Sequence, residues 1–584
     1  MTTTPQTSDL GAPLEERLGD IDSARGENLK PWVDGLTLGQ VLRDVARRHP
    51  QGDAYVFSQL GVRQTWAAVD RSVDRIARGL LAIGLRPGDH FGVWATNLPE
   101  WVLLQFATAR IGLVLVTINP AYRGSELRYA LRQSDVRGLA LIDRFRSSDY
   151  FSILAEICPE VASRGRGIVG SREFPHLRTV VALRGTALSG MLRWEELLEQ
   201  AEDVPEKTLA AIETAVRPND PVNIQYTSGT TGRPKGAMLS HRNILLNAYY
   251  GGQAQRLDHR DRVCLPVPLY HCFGCVLGTL CCLVHGATMV FPAESFDAGL
   301  TLQAIEAERA TALYGVPTMF IAQLEHPDYP QRDLSSLRTG IMAGSPCPIE
   351  LMKRVVQDMG AAEITIGYGQ TEASPLITQT CTNDPLELRV GSVGRPIPGV
   401  EAKIVDVATG CDLGDNQPGE LCARGHGVML GYYNLPEQTA EVIDAAGWLH
   451  TGDLGVRLPN GYYHITGRLR DLIIRGGENI YPREVEERLY EHAAVEEAQV
   501  VGVPDRRLGE EVLAWVKLRA GCTTTEEELR EFCRARLAHF KVPHYWKFVD
   551  HFPITVTGKI QKYKIREQAI VDLGLQDAAS VETA

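Results

Sequence analysis

Tyr226-Thr227-Ser228-Gly229-Thr230-Thr231-Gly232-Arg233-Pro234-Lys235-Gly236 follows an extended run, Pro221 to Gln225. It precedes a segment in which Ser240 can cap a helix carrying Ile244, Leu245 and Ala248 on one face. Three glycines, four small hydroxyl side chains, one arginine and one lysine lie between strand and helix, a chemistry suited to holding a polyphosphate. Glycine lets backbone N–H groups approach phosphate oxygens, hydroxyls donate further hydrogen bonds, and the cations offset charge. The spacing is not Gly-x-x-x-x-Gly-Lys-Ser/Thr, so the P-loop rule does not apply. A flexible Gly/Ser/Thr surface loop is the alternative from composition alone.

Helix and strand alternate on either side of this loop. Leu38, Val41, Leu42, Val45 and Ala46 fall at helical spacing within Thr37 to Arg48, and Thr65 can cap a second helix with Val69, Val73, Ile76, Leu80 and Ile83 on one stripe. Strand at Phe91 to Thr96, helix at Trp101 to Ile111, strand at Val114 to Ile118, helix at Ser125 to Gln133 and strand at Gly138 to Ile142 follow. Beyond the loop, Phe296 to Arg309 reads as helix, Ala312 to Gly315 as strand, Glu350 to Met359 as helix and Glu363 to Tyr368 as strand. Such alternation predicts an α/β fold, a large N-terminal domain of mostly parallel sheets. After Asn383, short runs such as Glu401 to Val405 and Gly419 to Ala423 predict a β-rich subdomain. Past Arg468, a helix at Glu484 to Glu491, strands at Ala498 to Val503 and Val512 to Leu518, and the capping box Thr525 to Glu528 predict a small α+β domain. The expected division is a polar extension over 1–34, a large domain over 35–467 with its β-rich part at 383–467, and a small domain over 468–584.

The 584 residues carry a net charge of −12 with no Lys/Arg-rich run, which argues against nucleic acid as a partner. Met1 to Lys30 is polar and acidic, without the apolar core of a signal peptide or the Arg-rich character of a transit peptide; with twelve cysteines this favours reduced thiols in the cytoplasm. Val263 to Ala293 lacks formal charge and is long enough to span a bilayer. Pro266, Pro268, Gly274, Gly278, His285 and Gly286 interrupt it, so it reads as strand, buried helix (Gly274 to Val284) and strand (Ala287 to Phe291), with no integral membrane span. Cys272, Cys275, Cys281 and Cys282 with His271 and His285 suggest a zinc site. The second pair is adjacent, however, and the residues between look like core, which favours buried free thiols.

Gly367-Tyr368-Gly369-Gln370-Thr371-Glu372 follows a strand at the edge where open parallel sheets bind ligands. Glu372 there could hold a magnesium ion. Thr451-Gly452-Asp453 follows Gly447-Trp448-Leu449-His450; a carboxylate so placed could accept hydrogen bonds from two ribose hydroxyls, though the tripeptide alone is an ordinary turn. Arg468 precedes Asp471, and Lys559 lies on a Thr/Gly-rich loop near the C-terminus.

The order of these motifs, with Pro268-Leu-Tyr-His271-Cys-Phe-Gly274, Ile473-Ile-Arg475-Gly476-Gly477-Glu-Asn-Ile-Tyr-Pro482 and Thr557-Gly-Lys559-Ile-Gln-Lys562, resembles the adenylate-forming superfamily of acyl-CoA synthetases, peptide adenylation domains and firefly luciferase. The resemblance runs from about Gly35 to Glu567 and is greatest to the branch of medium-chain fatty-acid–CoA ligases (acyl-CoA synthetase family member 2). It implies ATP, coenzyme A, Mg²⁺ and a small carboxylic acid as cofactors and substrates, and a two-step reaction through acyl-AMP. It further implies that Lys559 supplies charge at the α-phosphate and Thr227 to Lys235 hold the β- and γ-phosphates. Thr371 and metal-bound Glu372 meet phosphate, and Asp453 and Arg468 meet ribose. Gly344, Ser345, Pro346, Gly367 and Tyr368 bracket adenine. By the same resemblance His271 sits by the carboxylate, Tyr314, Gly315 and Val316 line the acyl pocket, and Arg475 to Tyr481 help form a CoA tunnel. Arg470 is the expected pivot of a swinging small domain, where many relatives have Asp or Lys. An aryl or unusual short acid, or a nucleotide-binding module without activity, are the competing readings; a homodimer is admissible.

Overall fold

Capping side chains start the helices where the sequence places them. Thr37 takes the Gln40 N–H and Gln40 returns a bond to Thr37, a capping box that opens Leu38–Arg48; Thr65 takes the Ala68 N–H at 3.3 Å and opens Trp66–Ala82. The computed structural model describes residues 30–576 except 166, 168, 228–233, 346, 477, 506 and 556–558. Among the described residues the chain builds two large sheets of nine and eight strands, an antiparallel four-stranded sheet, and a further sheet near the C-terminus.

The nine-stranded sheet is parallel through its middle: Glu363–Gly369, Thr339–Ala343, Ala312–Gly315, Arg262–Cys264, Thr288–Phe291 and Asp53–Phe57 lie side by side. The eight-stranded sheet sets Pro221–Thr227 parallel to Val114–Thr117, which pairs with His90–Trp94. The fold class expected from the alternation is therefore the one observed. Apolar side chains of both sheets and of the helices between them, Trp66, Trp94, Trp101 and Phe106 included, form one contiguous buried core.

Two local readings change. The glycine-rich loop does not lead straight into a helix: Lys235–Ser240 is a strand that pairs antiparallel with Pro221–Thr227, and only then does Ser240 cap His241–Ala254. Six residues with a buried polar side chain at each end gave too short a period to distinguish strand from loop. The helix read over Gly274 to Val284 begins as a π-turn, Phe273–Gly278, before Thr279–His285 continues it as α-helix. A Cβ on Gly274 would lie 2.2 Å from the Pro268 carbonyl oxygen, so the wide turn is packed against backbone. No helix among the described residues is long and apolar enough to cross a membrane. Cys272, Cys275, Cys281 and Cys282 are buried, and their sulfurs have separate neighbours: Thr371 Oγ1, Gln225 Nε2 and the Ala248 carbonyl for the first three, respectively.

Val400–Val405, Gly419–Gly425, Leu449–Arg457 and Tyr463–Arg468 form the antiparallel four-stranded sheet, whose inner face joins the outer core of the nine-stranded sheet. Residues from Ile473 onward build the C-terminal sheet around the long hairpin Val495–Asp505 and Gly509–Leu518, with a separate apolar cluster on each face.

Charge also crosses the N-terminal helices. Arg110, whose side chain is wholly buried, lies 2.5 Å from Asp70, 2.6 Å from Asp74 and 3.5 Å from Glu213. Arg43 reaches the same three carboxylates. Removing the buried cation leaves three clustered carboxylates to Arg43 alone, so Arg110→Ala is expected to lose about 3–5 kcal/mol, read as an earlier urea transition in tryptophan fluorescence. An unchanged transition would mean that Arg43 alone suffices.

Candidate active site

Three parallel strands deliver their C-terminal ends to one crevice. Ala312–Gly315 ends at Tyr314, Gly315 and Val316; Thr339–Ala343 ends at Gly344 and Ser345; Glu363–Gly369 ends at Tyr368 and Gly369, followed by Gln370 and the turn Thr371–Ala373. Gly344 has φ +87°, a conformation that favours glycine, and a Cβ placed on it would lie 3.2 Å from Val316 Cγ1, 3.7 Å from Lys559 Cε and 3.9 Å from Phe273 Cδ1. The lysine from the end of the chain thus stands beside the loop that follows a central strand, more than two hundred residues away.

Glu372 is buried, and its Oε1 accepts hydrogen bonds from Thr227 Oγ1 at 3.2 Å and Tyr432 Oη at 2.8 Å. Thr227 and Lys235 face each other across the hairpin, so both ends of the glycine-rich loop are tied to this point. Lys235 is buried with its ammonium 5.1 Å over the Tyr432 ring. A carboxylate fixed by two hydroxyls and flanked by a lysine fits a divalent cation carried on phosphate oxygens.

Asp453 and Arg468 are direct partners across two antiparallel strands, with Nε 3.3 Å from Oδ1; Tyr368 donates its hydroxyl to Oδ2 at 2.8 Å. Burial pushes the Asp453 carboxyl above the usual range, opposed by the Arg468 cation and the Tyr368 hydrogen bond. Lys559 is tied to Thr555: its N–H donates to Thr555 Oγ1 at 3.0 Å, and its carbonyl accepts the Thr555 N–H at 2.7 Å. Burial, then the Arg468 charge, pull the ammonium below the ordinary lysine range, while Cys272, Asp453 and Glu372 act in the other direction. His271 is held by its own turn, Nδ1 accepting the Phe273 N–H at 3.1 Å. Phe273 in turn stacks towards Tyr314, ring centres 6.0 Å apart.

The expected site residues therefore divide into three groups. Thr227, Lys235, His271, Tyr314, Gly315, Val316, Gly344, Tyr368, Thr371, Glu372, Asp453, Arg468 and Lys559 are linked by the contacts above or lie on the same strand ends, with Ser345, Gly367, Gly369 and Gln370 in the connecting backbone. Arg475 and Gly476 belong to a hairpin of the C-terminal sheet, where Arg475 pairs with Glu511. Arg470 lies in the turn Leu469–Asp471 between that sheet and the four-stranded one, its Nε 3.7 Å from Asp471. Ser228, Gly229, Thr230, Thr231, Gly232, Arg233, Pro346 and Gly477 lie outside the described residues. Sequence reading missed Tyr432, two hundred residues from its partner Lys235 in a Gly-Tyr-Tyr run with no distinguishing spacing, and it missed that Tyr368 bonds Asp453.

Carboxylates and cations from distant segments converge at the ends of these parallel strands, the arrangement of a candidate active site. The chain belongs to the AMP-binding enzyme family: residues 42–433 match the family profile, and residues 484–559 match that of the AMP-binding enzyme C-terminal domain. It is 47% identical over 534 residues to YngI of Bacillus subtilis (strain 168), covering 91% of this chain and 97% of that one. It is 44% identical over 548 residues to the mitochondrial medium-chain acyl-CoA ligase ACSF2 of Bos taurus, covering 93% and 89%. Among solved structures, the anthranilate CoA ligase AuaEII in complex with anthranoyl-AMP superposes with a TM-score of 0.81 at 26% identity, covering 94% of this chain and 99% of that one.

Burial, then the Lys559 charge, lower the His271 pKa to about 3. The imidazole is therefore neutral across the physiological range, whereas a free histidine titrates near 6.5. Its NMR resonances are expected to stay constant from about pH 5 to 8. Lys559→Ala removes a cation and should move the midpoint upward. A native midpoint near the free value would contradict the buried placement.

Proposed function

We propose that this protein is an AMP-forming acyl-CoA ligase acting on a fatty acid of medium chain length. The observation that carries the reading is the meeting of Lys559 with the Gly344 loop, while Asp453 and Glu372 occupy the same crevice. The medium-chain preference rests on the name of the bovine relative, and the acyl-AMP route on the ligand in the AuaEII structure.

A carboxylate is a poor acyl donor because its leaving group would be oxide; adenylation replaces that with AMP. Attack of the carboxylate oxygen on the α-phosphorus develops negative charge, and a preorganised cation in a water-poor site lowers that barrier most. Lys559 supplies this cation and contacts the carboxylate. Thr227 and Lys235, with the loop between them, hold the β- and γ-phosphates; Thr371 meets the α-phosphate. Asp453, oriented by Tyr368 and Arg468, accepts hydrogen bonds from the ribose hydroxyls. Gly344, Ser345, Gly367 and Tyr368 flank adenine. Glu372 would hold Mg²⁺, which when bound neutralises phosphate charge. Neutral His271 stands by the carboxylate, and Tyr314, Gly315 and Val316 line the tail, with Phe273 stacked beside them.

Thioester formation then requires Lys559 to leave. Residues 468–584 are the unit that turns, pivoting at Arg470, and the hairpin carrying Arg475 and Gly476 comes in to meet CoA. An arginine at the pivot keeps the turn exposed on one side to water while its partner Asp471 moves with it.

Lys559→Ala is expected to reduce acyl-AMP formation by at least about a thousandfold, yet leave thioester formation from supplied acyl-AMP near native rate. Equal loss of both half-reactions contradicts two alternating orientations. Asp453→Ala should raise the ATP KM by about tenfold or more, and unchanged ATP dependence would sink the ribose assignment. Pyrophosphate release over a panel of short, medium, long, branched and aromatic acids tests the substrate; a maximum at benzoate or anthranilate would replace fatty acid by aryl acid. EDTA should stop release, and added Mg²⁺ should restore it.

A further inference from the structure

Glu420, Cys422 and His450 meet on one face of the four-stranded sheet. Glu420 and Cys422 are two apart on Gly419–Gly425, and Cys422 is the direct cross-strand partner of His450 on Leu449–Arg457. A bulge between Glu420 and Cys422 turns the carboxylate towards the imidazole. His450 Nδ1 is 3.4 Å from Cys422 Sγ and 2.9 Å from Glu420 Oε2. Among the described residues this is the one group of three such side chains whose ligand atoms all lie within 4.8 Å of each other. None of the three has a role in the chemistry proposed above.

We propose that Glu420 Oε2, Cys422 Sγ and His450 Nδ1 form a divalent transition-metal site, with zinc as the cation their donor set suits. One thiolate, one imidazole and one carboxylate are a borderline-soft set, which disfavours magnesium and calcium and favours zinc. Tetrahedral zinc at bond lengths of about 2.0–2.3 Å separates its ligand atoms by roughly 3.3–3.6 Å. The cysteine–histidine separation already matches, and the glutamate–histidine pair needs to open by about half an ångström. The fourth position is left for water, since His450 is partly exposed at the sheet surface.

The surroundings orient the ligands. Glu420 Oε1 accepts the Gly452 N–H at 2.9 Å, which fixes the carboxylate plane. Asp444 Oδ2 lies 3.9 Å from His450 Nε2, on the opposite side of the ring from the cluster. A carboxylate behind a metal-bound histidine holds the tautomer with its proton on the outer nitrogen. Binding therefore moves the imidazole proton from Nδ1 to Nε2, facing Asp444, breaks the Cys422 S–H bond and releases that proton to water. Lys403, the cross-strand neighbour of Cys422, is the nearby cation, and its ammonium is drawn to Asp412 at 2.8 Å. Because Gly452 precedes Asp453, an occupied site also braces the strand that presents Asp453.

The test uses the full chain, freed of metal with a chelator and titrated with Co²⁺. One equivalent should give a thiolate-to-cobalt absorption band, bleached by Zn²⁺. Cys422→Ser should abolish the band, Asp444→Asn should weaken binding by about 10–100-fold, and His450→Gln, which removes a ligand, should weaken it at least as much. Cys411→Ser and Cys522→Ser, at the two exposed cysteines, should leave it unchanged. Should Cys422→Ser fail to fold, the partly exposed His450→Gln carries the same test. The proposal is overturned if native protein gives no thiolate–cobalt band, or if the band survives Cys422→Ser or keeps its affinity in His450→Gln.

Discussion

A buried ammonium has to be brought into contact with a crevice that already holds an arginine, and the rest of the molecule is arranged around that demand. Withdrawing a charge from water is costly unless opposite charge or hydrogen bonds replace the solvent. Around Lys559 stand Arg468, which opposes it, and Asp453 and Glu372, which favour it. Lys235 adds a third cation beside Tyr432. Among the described residues, Lys559, Arg468, Lys235 and Arg470 stand near Asp453, Glu372 and Asp471, an excess of cations that a polyphosphate carrying its own cation would balance. Burial, and then the Lys559 charge, keep His271 neutral.

No single element could hold Lys559 in place. Lys559 is tied locally by Thr555 and by the bridge between Ile554 and Ile560. The C-terminal sheet that carries these residues has an apolar cluster on either face. Because that sheet has its own core, the proposed departure from the crevice would leave its structure intact. The large sheets meanwhile fix their strand ends through backbone pairing across six parallel strands, so Gly344, Gly367 and Gly369 can approach neighbours closely without the crevice collapsing. A Cβ on Gly369 would lie 1.8 Å from the Pro375 carbonyl oxygen, a measure of how near the backbones come.

The four-stranded sheet serves the crevice from a third side. It offers Asp453 and Arg468 as register partners, and on the same strand, three residues earlier, His450 turns to Cys422 and Glu420. Antiparallel pairing explains both: side chains two apart share a face, and direct partners stand within side-chain reach. Asp453, the proposed ribose carboxylate, and His450, a proposed metal ligand, can then be presented by one strand in different directions.

Much of this was legible in the residues alone. Capping at Thr65, Ser240 and Thr525 marked helix starts, because a short hydroxyl side chain can satisfy a free N–H of the first helical turn. Alternating helical and extended runs gave the α/β class, since period and length are local properties of the chain. Spaced motifs, read in order, gave the family. What the sequence could not carry was every relation between distant segments: that Tyr432 bonds Glu372, that Tyr368 bonds Asp453, that Cys422 faces His450, or that the Gly274 turn widens to clear a carbonyl. Those follow from strand order, register and packing between segments that local periodicity does not relate, with pairs up to 85 residues apart, and no local pattern encodes a distance across them.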